Sequence, residues 1–261
     1  MKSFKEFLSE GLIKIDENLV KSITDCAFEY ALRYLVNYCE ETRPDETGRM
    51  VAQIRTCITQ YNLKDVSLAR IYKYSHEIES NKNITFETIK DGNQLNVIFN
   101  FNPALSAATF RSTDNSITLY MVTFFSHVLK SILDGNLLRY FESTYISILG
   151  TVKHELTHYY QYFHKYHKTQ LAQYDPKKKD RNDAYYMSNV EFDPMIKTTI
   201  ENLKYLKKRY PGDKKIIDYF LGFTDKPPDY YKFSRGEFLP ILKRRAPEKY
   251  KKALKYIFQN I

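Results

Sequence analysis

Ten residues constrain this chain more than any others: Thr151-Val152-Lys153-His154-Glu155-Leu156-Thr157-His158-Tyr159-Tyr160. They contain the pattern H-E-x-x-H. On an α-helix each residue advances about 100°, so His154 and His158 fall about 40° apart, one turn above the other. Two imidazoles so placed can grip one zinc ion from a single helix face. Glu155 stands beside them, where a carboxylate can take a proton from water that the metal acidifies toward a pKa of ~7. Hydrolysis, most often of a peptide bond, is the chemistry that uses all three groups together. The preceding segment is apolar at helical spacing (Phe141, Tyr145, Ile148, Leu149), and the residues around the second histidine are uncharged. This predicts a long helix over about 138–167 that buries its back and presents His-Glu-His to a cleft.

The motif with these flanks resembles the zincin metallopeptidases over roughly residues 80 to 205. The resemblance implies His154 and His158 as ligands of Zn2+, Glu155 as general base, and a third ligand from elsewhere in the chain. His164 has the metzincin spacing, ten residues after His154, but Gln161 stands where that clan needs a glycine to leave the helix. On a continuing helix His164 would lie ~9 Å along the axis from His158, beyond the reach of ~2 Å metal bonds. Glu191, in Asn189-Val190-Glu191-Phe192-Asp193 just before a helical stretch, looks like the carboxylate that gluzincins supply from a second helix. Glu191 is the favoured third ligand, with Asp193 and His164 as alternatives; Asp193 is otherwise expected to support an imidazole. Pro194 departs from the small residue common there in that family.

The resemblance implies an α+β fold: N-terminal helices, a small twisted, mostly antiparallel sheet, the motif helix, and a helical C-terminal part. The periodicities agree with this order. Leu19, Val20, Ile23, Ala27, Tyr30, Ala31, Tyr34 and Leu35 recur every three to four residues, predicting a helix over about 17–41. A polar turn is expected over Thr42 to Gly48, then a helix carrying Val51, Ile54, Cys57 and Ile58. Alternating Ile84, Phe86 and Thr88, the turn Asp91-Gly92-Asn93, and Leu95, Val97, Phe99 and Phe101 read as a hairpin. Thr109 to Arg111 and Ile117, Leu119 and Met121, around the turn Ser112–Asn115, read as another. A strand within 107–122 is expected to pair with an extended substrate backbone. A helix over His127 to Leu133 should follow. The polar stretch Lys168 to Ser188 should border the cleft, and Tyr185 or Tyr186 in it is a candidate to steady an oxyanion. Further helices are expected from Met195 to Arg209, Asp213 to Phe220, Phe233 to Leu242 and Pro247 to Phe258. The remaining histidines, His76, His127 and His167, read as core or surface residues.

Net charge is +9, and the excess is local. From Leu203 to Ile261 there are sixteen Lys plus Arg against six Asp plus Glu. Such a surface suits a polyanion, including non-specific contact with DNA. Cys26, Cys39 and Cys57 lack metal-binding spacing and read as reduced core thiols. No apolar run approaches the ~18 residues that a membrane span needs, so no membrane partner is expected.

The first ten residues, Met1-Lys2-Ser3-Phe4-Lys5-Glu6-Phe7-Leu8-Ser9-Glu10, are amphipathic and lack the apolar core of a secretory signal. They resemble the capsid-targeting sequence of internal head proteins of T-even-type tailed phages. That resemblance implies docking on the prohead scaffold, removal by the prohead protease after Glu10 or, less directly, after Glu17, and a place inside the virion, with action in the host cytoplasm after injection. The organisation expected is a targeting segment at 1–10, a helical part at 11–80, a catalytic core at 81–210 and a basic helical part at 211–261. The function expected is a zinc peptidase acting on a protein or peptide, toxin-like if it targets one host protein. The competing expectation is a non-catalytic basic virion protein that binds DNA or a host factor on a degenerate zincin fold.

Overall fold

A computed structural model describes residues 13–60, 66–73, 81–88, 94–102, 107–124, 137–163, 188–229 and 236–261. The fold is mixed α+β, mostly helical, with one small four-stranded mixed sheet. It clusters into two compact units: Asp16–Leu156, and the described residues of Met1–Ile15 and Thr157–Ile261.

The first unit begins with helix α1 (Glu17–Thr42). Asp16 caps it, its carboxylate accepting from the N–H groups of Asn18 and Leu19, and so satisfies donors the helix cannot. Ile23, Ala27, Phe28, Ala31, Leu32 and Leu35 are fully buried along one stripe. Helix α2 (Pro44–Gln60) follows almost at once. The polar turn expected over Thr42 to Gly48 is therefore mostly helix. Pro44 takes the first helical position, where its fixed φ fits and its missing N–H costs nothing. Asp45 and Glu46 sit in the first turn, where acids complement the dipole. A short α3 (Leu68–Lys73) completes the helical layer.

The strands are β1 (Asn81–Glu87), β2 (Gln94–Asn100), β3 (Ala108–Arg111) and β4 (Ser116–Tyr120). Both expected hairpins form, with Ile84 opposite Val97 and Phe110 opposite Ile117. The sheet order is β1-β2-β4-β3, so β2 and β4 meet in parallel. Two of the three pairings are antiparallel. Asn115 ends the second turn at φ 50°, a left-handed conformation that asparagine tolerates. Leu95, Val97 and Phe99 are buried, and Tyr30 and Tyr34 of α1 stack against Phe99 and Phe101 with ring centroids 5.2 Å apart. Cys39 and Cys57 are buried and Cys26 is partly so; all three are free thiols. Burial pushes the Cys26 thiol up to about 11 and Cys57 to about 12, as inert core thiols require.

Helix α4 (Leu137–Phe163) carries the H-E-x-x-H pattern. The predicted continuation through 164–167, the helix expected at His127–Leu133, and His76, His127, His164 and His167 lie outside the described residues.

The second unit is built on α5 (Asn189–Arg209). Sequence periodicity placed its start at Met195; it begins six residues earlier because Ser188 caps it, accepting from the Glu191 N–H at 3.2 Å. Pro194 interrupts the polar-apolar pattern yet lies inside the helix. Phe192, Ile196, Ile200 and Leu203 form its apolar stripe and bury against Phe238, Leu239 and Leu242 of α7 (Phe238–Arg245) and Tyr250, Ala253 and Ile257 of α8 (Pro247–Asn260). Each such side chain contributes about 1.5–3 kcal/mol of burial, enough to fix how α5 is rotated. Between them, Gly212 at φ 77° turns the chain into α6 (Lys214–Phe220), capped by Asp213. Among the described residues no helix is long and apolar enough to cross a membrane.

Candidate metal centre

His154 and His158 come from one helix because their spacing is one turn. Phe141, Ile148, Val152, Leu156 and Tyr159 are fully buried along the back of α4. That stripe turns the two histidines to its other side, where each is partly exposed. Glu155 lies between them in sequence and is 7% exposed.

Glu191 comes from the first turn of α5 and is buried. Its Oε1 lies 3.4 Å from Nε2 of His158. Charge-assisted hydrogen bonds are shorter, about 2.7–2.9 Å. Two ligand atoms on a tetrahedral metal, each bonded at ~2.0–2.1 Å, stand about 3.3 Å apart. The observed separation thus matches a pair of ligands better than a direct bond. One ligand atom from each of His154, His158 and Glu191 lies within 4.8 Å of the others, and among the described residues this is the group of His, Cys, Asp and Glu that could hold a metal ion. Two nitrogens and one oxygen form a donor set suited to a catalytic divalent cation with one position left for substrate or water.

Gln161 is the participant that sequence reasoning missed. It is 4% exposed, its Oε1 lies 3.0 Å from His158 Nδ1, and its Nε2 donates to the Val190 carbonyl at 2.8 Å. The available signal was only that it sits three residues after His158, on the same face of the helix. Because α4 runs unbroken through Gln161 to Phe163, the chain does not leave the helix where the metzincin arrangement requires it.

Asp193 is not part of the gathered group. Its Oδ2 accepts from the backbone N–H of Ile13 at 3.0 Å, and Lys197, one turn on, donates to the Ile13 carbonyl and to Thr157 Oγ1. Burial, and after it the Asp193 charge, pushes the Tyr256 phenol up, which places that carboxylate near α8. Tyr185 and Tyr186, the expected oxyanion candidates, lie outside the described residues.

Comparison with protein-family models, curated proteins and solved structures returned no match for this chain.

Proposed function

We propose that this chain is a zinc-dependent peptidase with a zincin-like site. The supporting observation is the convergence of His154, His158 and Glu191, from two helices distant in sequence, on a space of metal-binding size. These three residues would hold the ion, and their donor chemistry fits it. The chemistry supplied by zinc there would be polarisation of the scissile carbonyl and a lowered pKa of water. Glu155 accepts the proton of the attacking water and returns it to the amine nitrogen as the C–N bond breaks. Strand β3 supports an extended substrate: it lies at the edge of the described sheet, whereas β4 is enclosed between β2 and β3. Main-chain groups on such an edge can pair with an incoming strand. The ten N-terminal residues direct the enzyme to a phage head in this reading.

The test is zinc content and peptide hydrolysis measured together. His154→Ala should lose both. Glu155→Gln should keep zinc and lose roughly 10²–10⁴-fold in activity, the range for a general base. Full activity in Glu155→Gln would end the proposal.

A further inference from the structure

We infer that Gln161 and Pro194 form one positioning device for the metal centre. In an uninterrupted helix the N–H of residue 194 would bond to the carbonyl of residue 190. Proline has no N–H, so it leaves the Val190 carbonyl open to another donor. Gln161 supplies that donor from α4, through Nε2 at 2.8 Å. The same amide then has its oxygen toward His158, 3.0 Å from Nδ1. An oxygen there accepts, so Nδ1 carries the imidazole proton. Nε2 is left with its lone pair, on the side where Glu191 lies 3.4 Å away. One buried amide thus sets the tautomer of a ligand and ties its helix to the residue before the other ligand. Pro194, an oddity as a helix residue, makes the second half of the contact available.

This inference rests on the metal reading only for its effect on affinity, so two measurements separate them. Long-range ¹H–¹⁵N NMR of the metal-free protein should show His158 as the Nδ1–H tautomer, and Gln161→Ala should give a mixture. Gln161→Glu keeps an acceptor and should restore the Nδ1–H form. Competition with a chromophoric chelator should show zinc affinity about 10–100-fold weaker in Gln161→Ala. Pro194→Ala, which restores a competing N–H for Val190, should weaken zinc in the wild-type background and have no further effect alongside Gln161→Ala. An Nε2–H tautomer in the folded wild type would overturn the inference, as would unchanged zinc affinity in a folded Gln161→Ala variant. If the wild type binds no zinc, the peptidase reading fails while the tautomer result still decides the role of Gln161.

A separate observation concerns the corner between α5 and α6. Lys207, Lys208 and Arg209 end one helix, and Lys214 and Lys215 open the next; all five are exposed. The turn between them is tight, with Asp213 N–H donating to the Tyr210 carbonyl at 3.1 Å. Asp213, the one acid in the stretch, is engaged as a cap. Arg209, Lys214 and Lys215 have no acidic partner among the described residues. The first turn of α6 disfavours cations through its own dipole, so the fold gains nothing from Lys214 and Lys215 there. The geometry points to a contact for the phosphate backbone of duplex nucleic acid, read without regard to sequence.

Fluorescence anisotropy with a labelled 20-base-pair duplex tests it. Lys207 already donates to the Ile261 carbonyl at 3.0 Å, so three contacts, from Arg209, Lys214 and Lys215, would give log affinity against log salt a slope of about −3. Lys214→Glu with Lys215→Glu should weaken binding at least tenfold more than Arg49→Glu with Arg55→Glu, which makes the same charge change on exposed residues of α2. Equal losses would reduce the effect to net charge and overturn the assignment. Binding to anionic lipid vesicles with none to the duplex would overturn it too.

Discussion

Glu29 and Glu191 are both buried carboxylates on helices, and they differ in what surrounds them. Glu29 is 5% exposed and is met by the guanidinium of Arg33, by Arg70 at 2.7 Å and by the Ser67 N–H at 3.2 Å. Its charge is balanced by side chains of its own unit. Glu191 is 8% exposed, and the groups gathered with it are the imidazoles of His158 and His154. No guanidinium or ammonium is part of that group, whose donor set could instead take a cation from solution. The same functional group at similar burial therefore meets guanidinium groups in one region and imidazoles in the other.

The largest effect should come from removing each carboxylate in turn. Glu29→Ala removes the carboxylate that Arg33 and Arg70 both meet and should cost about 3–5 kcal/mol in denaturant unfolding, with zinc content of the folded fraction unchanged. Glu191→Gln should leave stability in metal-free buffer within about 1 kcal/mol and abolish stoichiometric zinc. The contrast breaks if Glu29→Ala empties the zinc site while the protein stays folded.

A third buried carboxylate, Asp193, sharpens the comparison, since a backbone N–H donates to it. Deleting residues 1–10 leaves Ile13 and its contacts in place. Deleting residues 1–17 removes the Ile13 contacts, the Asp16 cap and the Glu17 partner that Lys153 meets at 2.8 Å. Together these should lower stability by roughly 3 kcal/mol, from about 1 for the cap and 1.5–3 for the charged hydrogen bonds. Equal melting of the two truncations would contradict a stabilising role for these contacts.

The smallest effect concerns a partly buried cation, Lys249. Burial, and then the neighbouring Lys252, lowers Lys249 from 10.5 to about 8. The unfolded chain holds that proton more tightly, so stability should rise as pH passes from about 8 to 10.5. Lys249→Met should be more stable than wild type at pH 7 by about 1 kcal/mol after allowing for partial exposure, with the difference closing above that window. A gap that widens with pH would contradict the sign.

Much of the architecture was legible in local pattern. Periodicity located α1 to within a residue or so, both hairpins followed from alternation and turn residues, and Asp213 was a readable cap. The errors had local causes as well. In the sequence Pro44 reads as part of a turn, although the first helical position accepts proline without penalty. The start of α5 was placed late because Pro194 masks the pattern, while Ser188 in fact opens the helix. The parallel meeting of β2 and β4 had no local signal, since strand order depends on contacts between hairpins.

By itself the sequence determined the two histidines and their spacing, because one helical turn is fixed by backbone geometry wherever the helix goes. It also named Glu191, by resemblance, but could not place it. Only the tertiary structure brought that carboxylate to 3.4 Å from His158 across 33 positions of chain, and only there did Gln161 meet the carbonyl that Pro194 leaves open. The physical reason is that helix periodicity is written in neighbouring residues, whereas a ligand cluster depends on how buried stripes such as Phe192, Ile196 and Ile200 rotate one helix against its surroundings.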